Sequence, residues 1–393
     1  MKQNIAIAGA GIGGLAAAAL LAGDGHKVTV FDQFDMPRPV GSGLVIQPVG
    51  MEVLRACGAA DEALARGTRI ATMFGDEVDQ NRTVLSVSYG KSIERQGLGI
   101  HRAALFEALY AAADSAGTTI IADSPVRARD GQFLVIEHEW DGPYDLIVDA
   151  LGAGSPLSPL KSRPLPYGAV WATVPWPDNA PFPEDRLTQR YRRADRMLGV
   201  LPVGIMRPTA DTRLAAIFYS LKAYAIDGHF ARPFSEWRAE AEALWPEFAA
   251  FLPDTLDHSD FTRATYTHGT LRRPYDDGLV HIGDAAHRAS PQLGQGANMA
   301  LLDARALQLA LRQATVEEAL RRYAMARRWH VWLYQMMSAS FTPQYQSDSR
   351  ALPVLRDRVL APLSRTFPVP AILTKLVCGD LVPPMASLTP RSD

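Results

Sequence analysis

The glycines near the start of the chain have the spacing of a site that holds phosphate groups. Gly9, Gly11 and Gly14 stand in the run GAGIGG, which also contains Gly13. In this pattern the first glycine allows a tight turn, the second lets the backbone approach a pyrophosphate, and the third lets a helix pack closely on a strand. The free N–H groups and the dipole at the start of that helix favour phosphates. The run therefore predicts that the chain binds a dinucleotide.

An acidic residue follows these glycines at the position where the ribose of a dinucleotide is bound. Asp32 ends the predicted strand of residues 27–31, while residues 4–8 and 15–22 are predicted to form the strand and helix on either side of the glycines. These elements make one βαβ unit of about 30 residues, which is the context that the glycine pattern requires. A glycine turn without a ligand is the alternative, and Asp32 argues against it.

A second glycine-rich segment lies late in the chain and also carries a carboxylate. Asp284 follows the predicted strand of residues 279–282, and the run PQLGQGAN at residues 291–298 opens a helix. We expect Asp284 at the carboxyl edge of the sheet, where ligands of open α/β sheets bind. The dipole of the helix would stabilise negative charge on a reduced flavin ring. Together the two segments predict that one long ligand, FAD, is held from both ends of the sequence; a loop capped by asparagine is the alternative for the second.

The overall composition argues against several other classes of protein. Apolar residues make up 47% of the 393 and charged residues 21%, and the net charge is −2, so we expect no nucleic-acid partner. The two cysteines, Cys57 and Cys378, suit neither a disulfide framework nor a CxxC site. The sequence has no HExxH or GxSxG motif, so we expect no metal site, and no apolar run approaches the ~20 residues of a transmembrane segment. No signal peptide precedes the first strand, so the expected location is cytoplasmic.

The predicted elements that position these motifs form an α/β protein with an insertion. Residues 1–68, 101–163 and 271–340 are predicted to form a Rossmann-like FAD-binding domain. Residues 69–100 and 164–270 are predicted to form an inserted, mostly antiparallel β-sheet substrate domain, because strand-like runs follow one another there without alternating helices. Residues 341–393 are predicted to form a C-terminal helical segment. Their apolar run at 367–377 could contact a membrane or a partner, and packing on the FAD-binding domain is the preferred interpretation.

Four places in the sequence resemble one known family. They are GAGIGG with Asp32, the run GSGLVIQPVGMEVL at residues 41–54, the run HRAAL at residues 101–105, and GDAAHRASPQLGQGANMALLDA at residues 283–304. These runs are similar to the FAD-binding motifs of the single-component FAD-dependent aromatic hydroxylases, which have the p-hydroxybenzoate hydroxylase fold. The resemblance extends from Ile5 to about Met337.

The resemblance implies a set of site residues. The cofactor-binding residues that it implies are Gly9, Gly11, Gly13, Gly14, Asp32, Arg102, Val126, Asp284, Pro291, Gly294, Gly296, Ala297 and Asn298. Asp284 would bind the ribityl chain, the backbone at Val126 would meet the adenine, and the segment from Pro291 to Asn298 would border the isoalloxazine ring. Trp171, Phe218 and Tyr219 would lie on strands near the substrate pocket, and packing in the core is the alternative for them.

The activity that the resemblance implies is that of an FAD-dependent monooxygenase. One oxygen atom of O₂ would pass through a flavin C4a-hydroperoxide to an aromatic or electron-rich small molecule, with NADH or NADPH as electron donor. The chemistry would belong to the cofactor, and no acid–base triad is expected. An oxidase or dehydrogenase on the same fold, a non-catalytic flavin-binding protein, and a monooxygenase fed by a separate flavin reductase are the alternatives. The substrate and the oligomeric state are left open.

One motif of that family is altered in this chain. The family has a pattern such as GADGxxSxxR after the strand that ends near residue 150, and here Leu151 replaces the aspartate and Ser158 replaces the arginine. Asp149 stands two residues earlier, where glycine is usual. Since the resemblance links this motif to the binding of FAD and NAD(P)H, the change predicts slow direct reduction by NADH or NADPH.

Overall fold

The computed structural model describes residues 2–35, 42–79, 81–207, 209, 211–385 and 388. The strands are β1 (Asn4–Ala8), β2 (Lys27–Phe31), β3 (Gly43–Ile46), β4 (Thr68–Ile70), β5 (Thr72–Glu77), β6 (Thr83–Ser88), β7 (Gly97–His101), β8 (Thr119–Ile121), β9 (Val126–Asp130), β10 (Phe133–Ile136), β11 (Glu139–Asp141), β12 (Leu146–Asp149), β13 (Arg163–Pro175), β14 (Arg186–Arg192), β15 (Arg196–Gly204), β16 (Leu214–Lys222), β17 (Thr262–Thr270), β18 (Tyr275–Asp276), β19 (Leu279–His281) and β20 (His287–Arg288). The α-helices are α1 (Ile12–Gly23), α2 (Pro48–Cys57), α3 (Ala60–Arg66), α4 (Arg102–Ser115), α5 (Ile226–Ala231), α6 (Phe234–Leu244), α7 (Gly296–Leu311), α8 (Val316–Tyr345), α9 (Ala351–Leu355), α10 (Ala361–Leu363) and α11 (Val369–Cys378).

A six-stranded sheet carries both glycine-rich segments. Its strand order is β18-β19-β12-β1-β2-β8, and every neighbouring pair is parallel except β18 with β19. Such a sheet is buried on both faces, so its strands are continuously apolar; the side chains from Ile5 to Ala8 in β1 are fully buried. Helix α1 is rich in alanine, and these small side chains let it pack closely against α4 and α7. The first turns of α1 and α7 are thereby brought to the same region of the sheet.

The largest described sheet has eight strands and is mostly antiparallel. Its order is β20-β17-β13-β16-β15-β14-β5-β6, and β14 with β5 is its parallel pair. One face of this sheet is covered by α5, α6 and a short helix at Pro246–Phe251, around a core that includes Trp237 and Phe248. Three-stranded sheets of β3-β7-β4 and β11-β10-β9 complete the described strands. The predicted fold class, an α/β protein with a mostly antiparallel second sheet and C-terminal helices, is confirmed.

The observed elements differ from the prediction mainly in their ends. Helix α1 runs from Ile12 to Gly23, longer at both ends than the predicted helix of residues 15–22. Helix α8 has 30 residues and contains Pro343 in its last turn. Strands β9 and β10 form a hairpin around Gly131, and β11 adds a third strand to it. Gly41 lies outside the described residues. Within the described part of the chain, no helix has both the length and the apolar character needed to cross a bilayer.

Candidate functional site

The first glycine-rich turn is packed tightly everywhere except at one position. Gly9 has φ +101°, and a Cβ there would lie 2.6 Å from the carbonyl oxygen of Ala150. A Cβ at Gly14 would overlap the carbonyl oxygen of Gly9, and one at Gly13 would come 3.2 Å from Ala300 on α7. Nothing lies within 4 Å of the corresponding position at Gly11, the residue that caps α1. The helix start therefore faces open space where a phosphate group would fit.

Asp32 is hydrogen-bonded to the same turn. Its Oδ2 accepts a hydrogen bond from the N–H of Ala10 at 2.7 Å, and its Oδ1 accepts one from the N–H of Phe34 at 3.1 Å. The carboxylate is nearly buried at the end of β2. Each carboxylate oxygen has a second lone pair for a further donor. Asp32 can therefore hold the glycine turn in place and still accept a ribose hydroxyl.

Arg102 and Asp284 lie within electrostatic reach of each other. Arg102 is the first residue of α4, whose cap is His101 with Nδ1 accepting from the N–H of Ala103 at 3.1 Å. Desolvation lowers the pKa of Arg102, and the negative charge of Asp284 opposes that shift. Asp284 stands in a short helical turn, Gly283–Ala285, directly after β19, and it is exposed. Two predicted residues that are distant in sequence thus lie close enough beside the sheet edge to influence each other electrostatically.

The second glycine-rich segment is fixed by the side chain of Asn298. The amide nitrogen of Asn298 donates to the carbonyl oxygens of Val45 at 3.1 Å and Gly294 at 3.0 Å, and its Oδ1 accepts from the N–H of Gln47 at 2.8 Å. Gly294 has φ +60°, a conformation that favours glycine. Asn298 is fully buried, so its amide is used within the protein. It therefore joins the start of α7 to the loop between β3 and α2.

Gln47 is a candidate that the sequence patterns missed. Its side chain is fully buried, and its Oε1 accepts a hydrogen bond from the hydroxyl of Tyr89 at 2.6 Å. Its Nε2 has no partner among the described residues, and it lies 3.5 Å from the position that a Cβ would take at Gly294. A buried donor without an acceptor is costly. The amide in the otherwise apolar run LVIQP was the signal that could have identified it.

Two of the three predicted pocket residues lie together on the inner face of the large sheet. The rings of Trp171 and Phe218 have centroids 4.5 Å apart on paired strands. Trp171 Nε1 donates to the hydroxyl of Tyr266 at 3.2 Å, and burial raises the pKa of Tyr266 to about 12. Gln292 of the second glycine-rich segment contacts the sulfur of Met197 at 3.9 Å, and Met197 belongs to the same cluster as Phe218. This aromatic cluster is therefore adjacent to the segment that opens α7.

Tyr219 lies on the opposite face of the sheet. Its hydroxyl donates to Glu240 at 2.6 Å and accepts from Arg196 at 2.8 Å, and its ring contacts Trp237 in the core under α6. Consecutive residues of a strand point to opposite faces, so residues 218 and 219 cannot share one pocket. We therefore remove Tyr219 from the set of pocket residues.

At the position of the altered family motif, the chain has a buried network of polar side chains. Asp149 is fully buried, and its Oδ2 is 2.7 Å from Nδ1 of His281 and accepts from Oγ of Ser155, also at 2.7 Å. Its Oδ1 accepts from the N–H of Leu151 at 3.1 Å. The side chain of Leu151 packs on the apolar cluster that contains Val126. A carboxylate is thus present at this strand end, but it points into the protein, and leucine fills the place of the usual aspartate.

A second buried network supports the turn that carries Asp284. Asp303 accepts from the N–H of Gly283 at 2.9 Å and from Nε of Arg327 at 2.7 Å, and it is 2.7 Å from Nε2 of His287. Burial raises the pKa of Asp303, but the charges of His287 and Arg327 outweigh this effect and lower the pKa to about 2. The network was missed because Asp303 stands inside the apolar pattern of α7. Through the hydrogen bond from the N–H of Gly283, the network holds the backbone of this turn in place.

Comparisons with known proteins agree with this geometry. Residues 2–132 and 188–338 match a family model described as an FAD binding domain. A kynurenine 3-monooxygenase from Stenotrophomonas maltophilia is 30% identical over 346 residues, which are 80% of this chain and 72% of that protein. A probable 2-heptyl-3-hydroxy-4(1H)-quinolone synthase from Rhodococcus erythropolis is 28% identical over 78% of this chain and 79% of its own length.

Solved structures show the same fold. HpxO from Klebsiella pneumoniae complexed with FAD superimposes with a TM-score of 0.80 at 19% identity, covering 96% of this chain and 100% of that chain. A mutant of 2-methyl-3-hydroxypyridine-5-carboxylic acid oxygenase superimposes with a TM-score of 0.76 at 21% identity, covering 93% of this chain and 99% of that one. The matched family model covers both glycine-rich segments. The chain belongs to the FAD-dependent aromatic monooxygenases that have the p-hydroxybenzoate hydroxylase fold.

Proposed function

We propose that this FAD-dependent monooxygenase holds its cofactor between the two glycine-rich segments. The pyrophosphate would lie in the open space at Gly11, with the ribose at Asp32 and the adenine beside the backbone of Val126. The ribityl chain would pass between Arg102 and Asp284. Two observations support this fit: the space in front of Gly11 and the unpartnered, buried Nε2 of Gln47.

The flavin ring would lie against the start of α7. The residues that would border it are Pro291, Gly294, Gly296, Ala297 and Asn298. Gln47 Nε2 would donate a hydrogen bond to an acceptor atom of the ring edge, and Tyr89 would hold the amide in that orientation. Bound FAD supplies the activation of O₂, and this chain supplies binding, orientation and the positive end of the α7 dipole.

A substitution at Gln47 tests this placement of the ring. We expect Gln47→Leu to weaken FAD binding by up to about tenfold, because one neutral hydrogen bond is lost, and to shift the flavin absorbance spectrum. Titration of the apoprotein with FAD measures the first effect, and the spectrum of the loaded protein measures the second. Gln308→Leu, which changes a buried amide near the other end of α7, is the matched control. A Gln47→Leu protein with unchanged affinity and spectrum would place the ring elsewhere.

The substrate that we propose is an aromatic ring without a carboxylate next to the reacting carbon. The observation that supports this is that the amides of Gln189 and Gln292 and the phenol of Tyr266, the polar groups beside Trp171 and Met197, are neutral. The buried cation of the same cluster, Arg356, is already paired with Asp357. A carboxylate buried there without a cation would be strongly disfavoured. The name of one relative refers to such a ring, a quinolone, whereas the name of another refers to a carbocyclic ring that carries a carboxylate, 3-amino-4-hydroxybenzoate. An electron-rich, uncharged nitrogen heteroaromatic ring is therefore the best candidate.

The electron donor that we propose is NADH or NADPH, acting only when substrate is bound, or a separate flavin reductase. Leu151 supports this because it cannot provide the hydrogen bonds of the family's aspartate, and the buried Asp149 does not replace them. The cytoplasm, where these donors are available, stays the expected location. O₂ would be the second substrate.

One experiment tests the substrate and the donor together. In anaerobic stopped-flow measurements, we expect NADPH or NADH alone to reduce the enzyme well below the 1–10³ s⁻¹ span typical of enzyme turnover. An uncharged quinolone should accelerate the reduction, and its matched quinoline carboxylate should not. Turnover under ¹⁸O₂ should then place one labelled atom in the product. Peroxide without labelled product would identify an oxidase instead.

The variant Leu151→Asp separates the two interpretations of the altered motif. Faster reduction by NADPH alone would show that the missing carboxylate limits the donor reaction. A lower melting temperature without faster reduction would show that leucine is needed for packing on the Val126 cluster. Fast reduction of the unaltered enzyme by NADPH alone would contradict the proposal.

A further inference from the structure

The C-terminal segment of residues 350–375 presents an apolar surface to solvent. Its exposed large apolar side chains are Val354, Leu355, Val359, Leu363, Phe367 and Ile372. Phe367 is 92% exposed, and the other five are between 43% and 52% exposed. Leu355, Val359 and Leu363 are spaced four residues apart in a helical stretch, so they line one side of it. Several exposed large apolar side chains within one short segment are typical of an interaction site.

The segment is anchored from its inner side, so this exposure is a property of a fixed surface. Arg356 is buried, with its guanidinium carbon 5.2 Å from the ring centroid of Tyr191 and 5.0 Å from that of Tyr345. The same side chain donates hydrogen bonds to the carbonyl oxygens of Arg193 and Gln344, both at 2.9 Å. At the other end, the last turn of α11 is buried from Leu376 to Cys378. The outward face therefore points to solvent while the inward face is tied to the protein.

The charges on this surface all have one sign. Its exposed ionisable side chains are Arg350, Arg358, Arg365 and Lys375, and among the described residues none of the four has a carboxylate partner. The acidic residue of the segment, Asp357, is 2.6 Å from Arg356 and is engaged by it. The chain as a whole has a net charge of −2. This surface is thus basic and apolar on a protein that is slightly acidic.

We propose that residues 350–375 dock on the surface of an anionic lipid membrane. Apolar side chains that enter the headgroup region, flanked by basic side chains that meet anionic lipids, are the chemistry by which a helix lies on such a membrane. A second copy of this chain fits less well, because a two-fold contact would place this basic surface against itself. The orientation would put α9, α10 and α11 against the lipid.

Vesicle flotation of the full-length, FAD-loaded enzyme tests the proposal. We expect it to bind phosphatidylcholine vesicles that contain about a third phosphatidylglycerol, to bind pure phosphatidylcholine much more weakly, and to be released by salt. The triple variant Arg350→Gln, Arg358→Gln, Lys375→Gln should bind about a hundredfold more weakly, since each basic side chain contributes roughly fivefold. Phe367→Ser should cost about tenfold.

Matched controls distinguish vesicle binding by this surface from nonspecific adsorption of the protein. Lys27→Gln, Lys161→Gln, Arg272→Gln removes as many exposed basic side chains elsewhere, and Trp140→Ser removes an exposed apolar side chain outside the segment. Both should bind vesicles like the unaltered enzyme. Equal loss in these controls, or equal binding to neutral and anionic vesicles, would overturn the proposal. The proposal would also be overturned if the enzyme bound no vesicles and sedimented as an oligomer that the Phe367→Ser substitution dissociates. A second copy of the chain would then cover the surface.

Discussion

The variant Gly11→Val should lose FAD binding while keeping its fold. A valine side chain would fill the open space in front of the first turn of α1, where the backbone N–H groups and the helix dipole would meet the pyrophosphate. The backbone of Gly11 is extended, with φ −76°, so another residue can adopt it without strain. Because nothing in the protein lies within 4 Å of the new Cβ, the effect should fall on the ligand. We expect affinity to fall by more than about a hundredfold, since several phosphate contacts are lost at once.

Titration of the apoprotein with FAD measures this loss, and circular dichroism checks the fold. The matched control is Gly23→Val at the other end of α1, where an added Cβ also meets nothing within 4 Å. The control should bind FAD like the unaltered chain. A folded Gly11→Val protein that retains full FAD loading would show that the pyrophosphate is bound elsewhere.

The variant Asp303→Asn should destabilise the fold by about 3–5 kcal/mol, because it leaves the buried charge of Arg327 without its partner. Urea unfolding measures the change in the free energy of unfolding. Asp24→Asn is the control, since Asp24 pairs with the half-exposed Arg312 near the surface and should cost less than about 1 kcal/mol. Similar losses of unfolding free energy in the two variants would show that burial does not make the Asp303–Arg327 ion pair harder to break than the Asp24–Arg312 pair.

The same carboxylate predicts a pH dependence of stability. The pKa of Asp303 in the folded protein is lowered to about 2, below the ~3.9 of an unfolded aspartate. Its stabilising contribution is therefore complete above about pH 4 and is lost as the pH falls towards 2. Acid unfolding of the Asp303→Asn variant should lack this component. Because Asp303 also accepts from the N–H of Gly283, the variant should bind FAD more weakly through the turn that carries Asp284.

The sequence predicted those parts of the site that depend on local spacing. The turn at Gly9 to Gly14 and the start of α7 each depend on neighbouring residues, so their geometry follows from short patterns. Gln47 depends on Tyr89 and Gly294, which are distant in sequence, and no local pattern relates them. Asp303 could not be identified from the sequence, because it stands within the apolar pattern of α7 and its partner Arg327 lies on another helix, α8.

The eight-stranded sheet shows a different limit of prediction from the sequence. Apart from the first residue of β13, strands β13 to β16 lie within the residues that were expected to form the inserted sheet, because strand-like runs follow one another there without alternating helices. Which face of β16 meets the cofactor layer depends on where α5 and α6 pack, and the sequence of the strand does not specify this. Alternation along the strand requires Phe218 and Tyr219 to point to opposite faces, which the prediction of both as pocket residues overlooked. The structure decided which of them lies beside Trp171.

The last turn of α11 has a consequence for the order of events during biosynthesis. The carbonyl oxygens of Leu376 and Val377 accept hydrogen bonds from Tyr334 and Gln295, at 2.7 and 3.0 Å. Gln295 directly precedes α7, so the helix start that would carry the flavin ring is braced by residues that a ribosome adds more than seventy positions later. The phosphate-binding turn at Gly11 is among the first parts of the chain to emerge. With the flavin ring placed as proposed, the cofactor site would be complete only after the residues of α11 have emerged and folded back onto the start of α7.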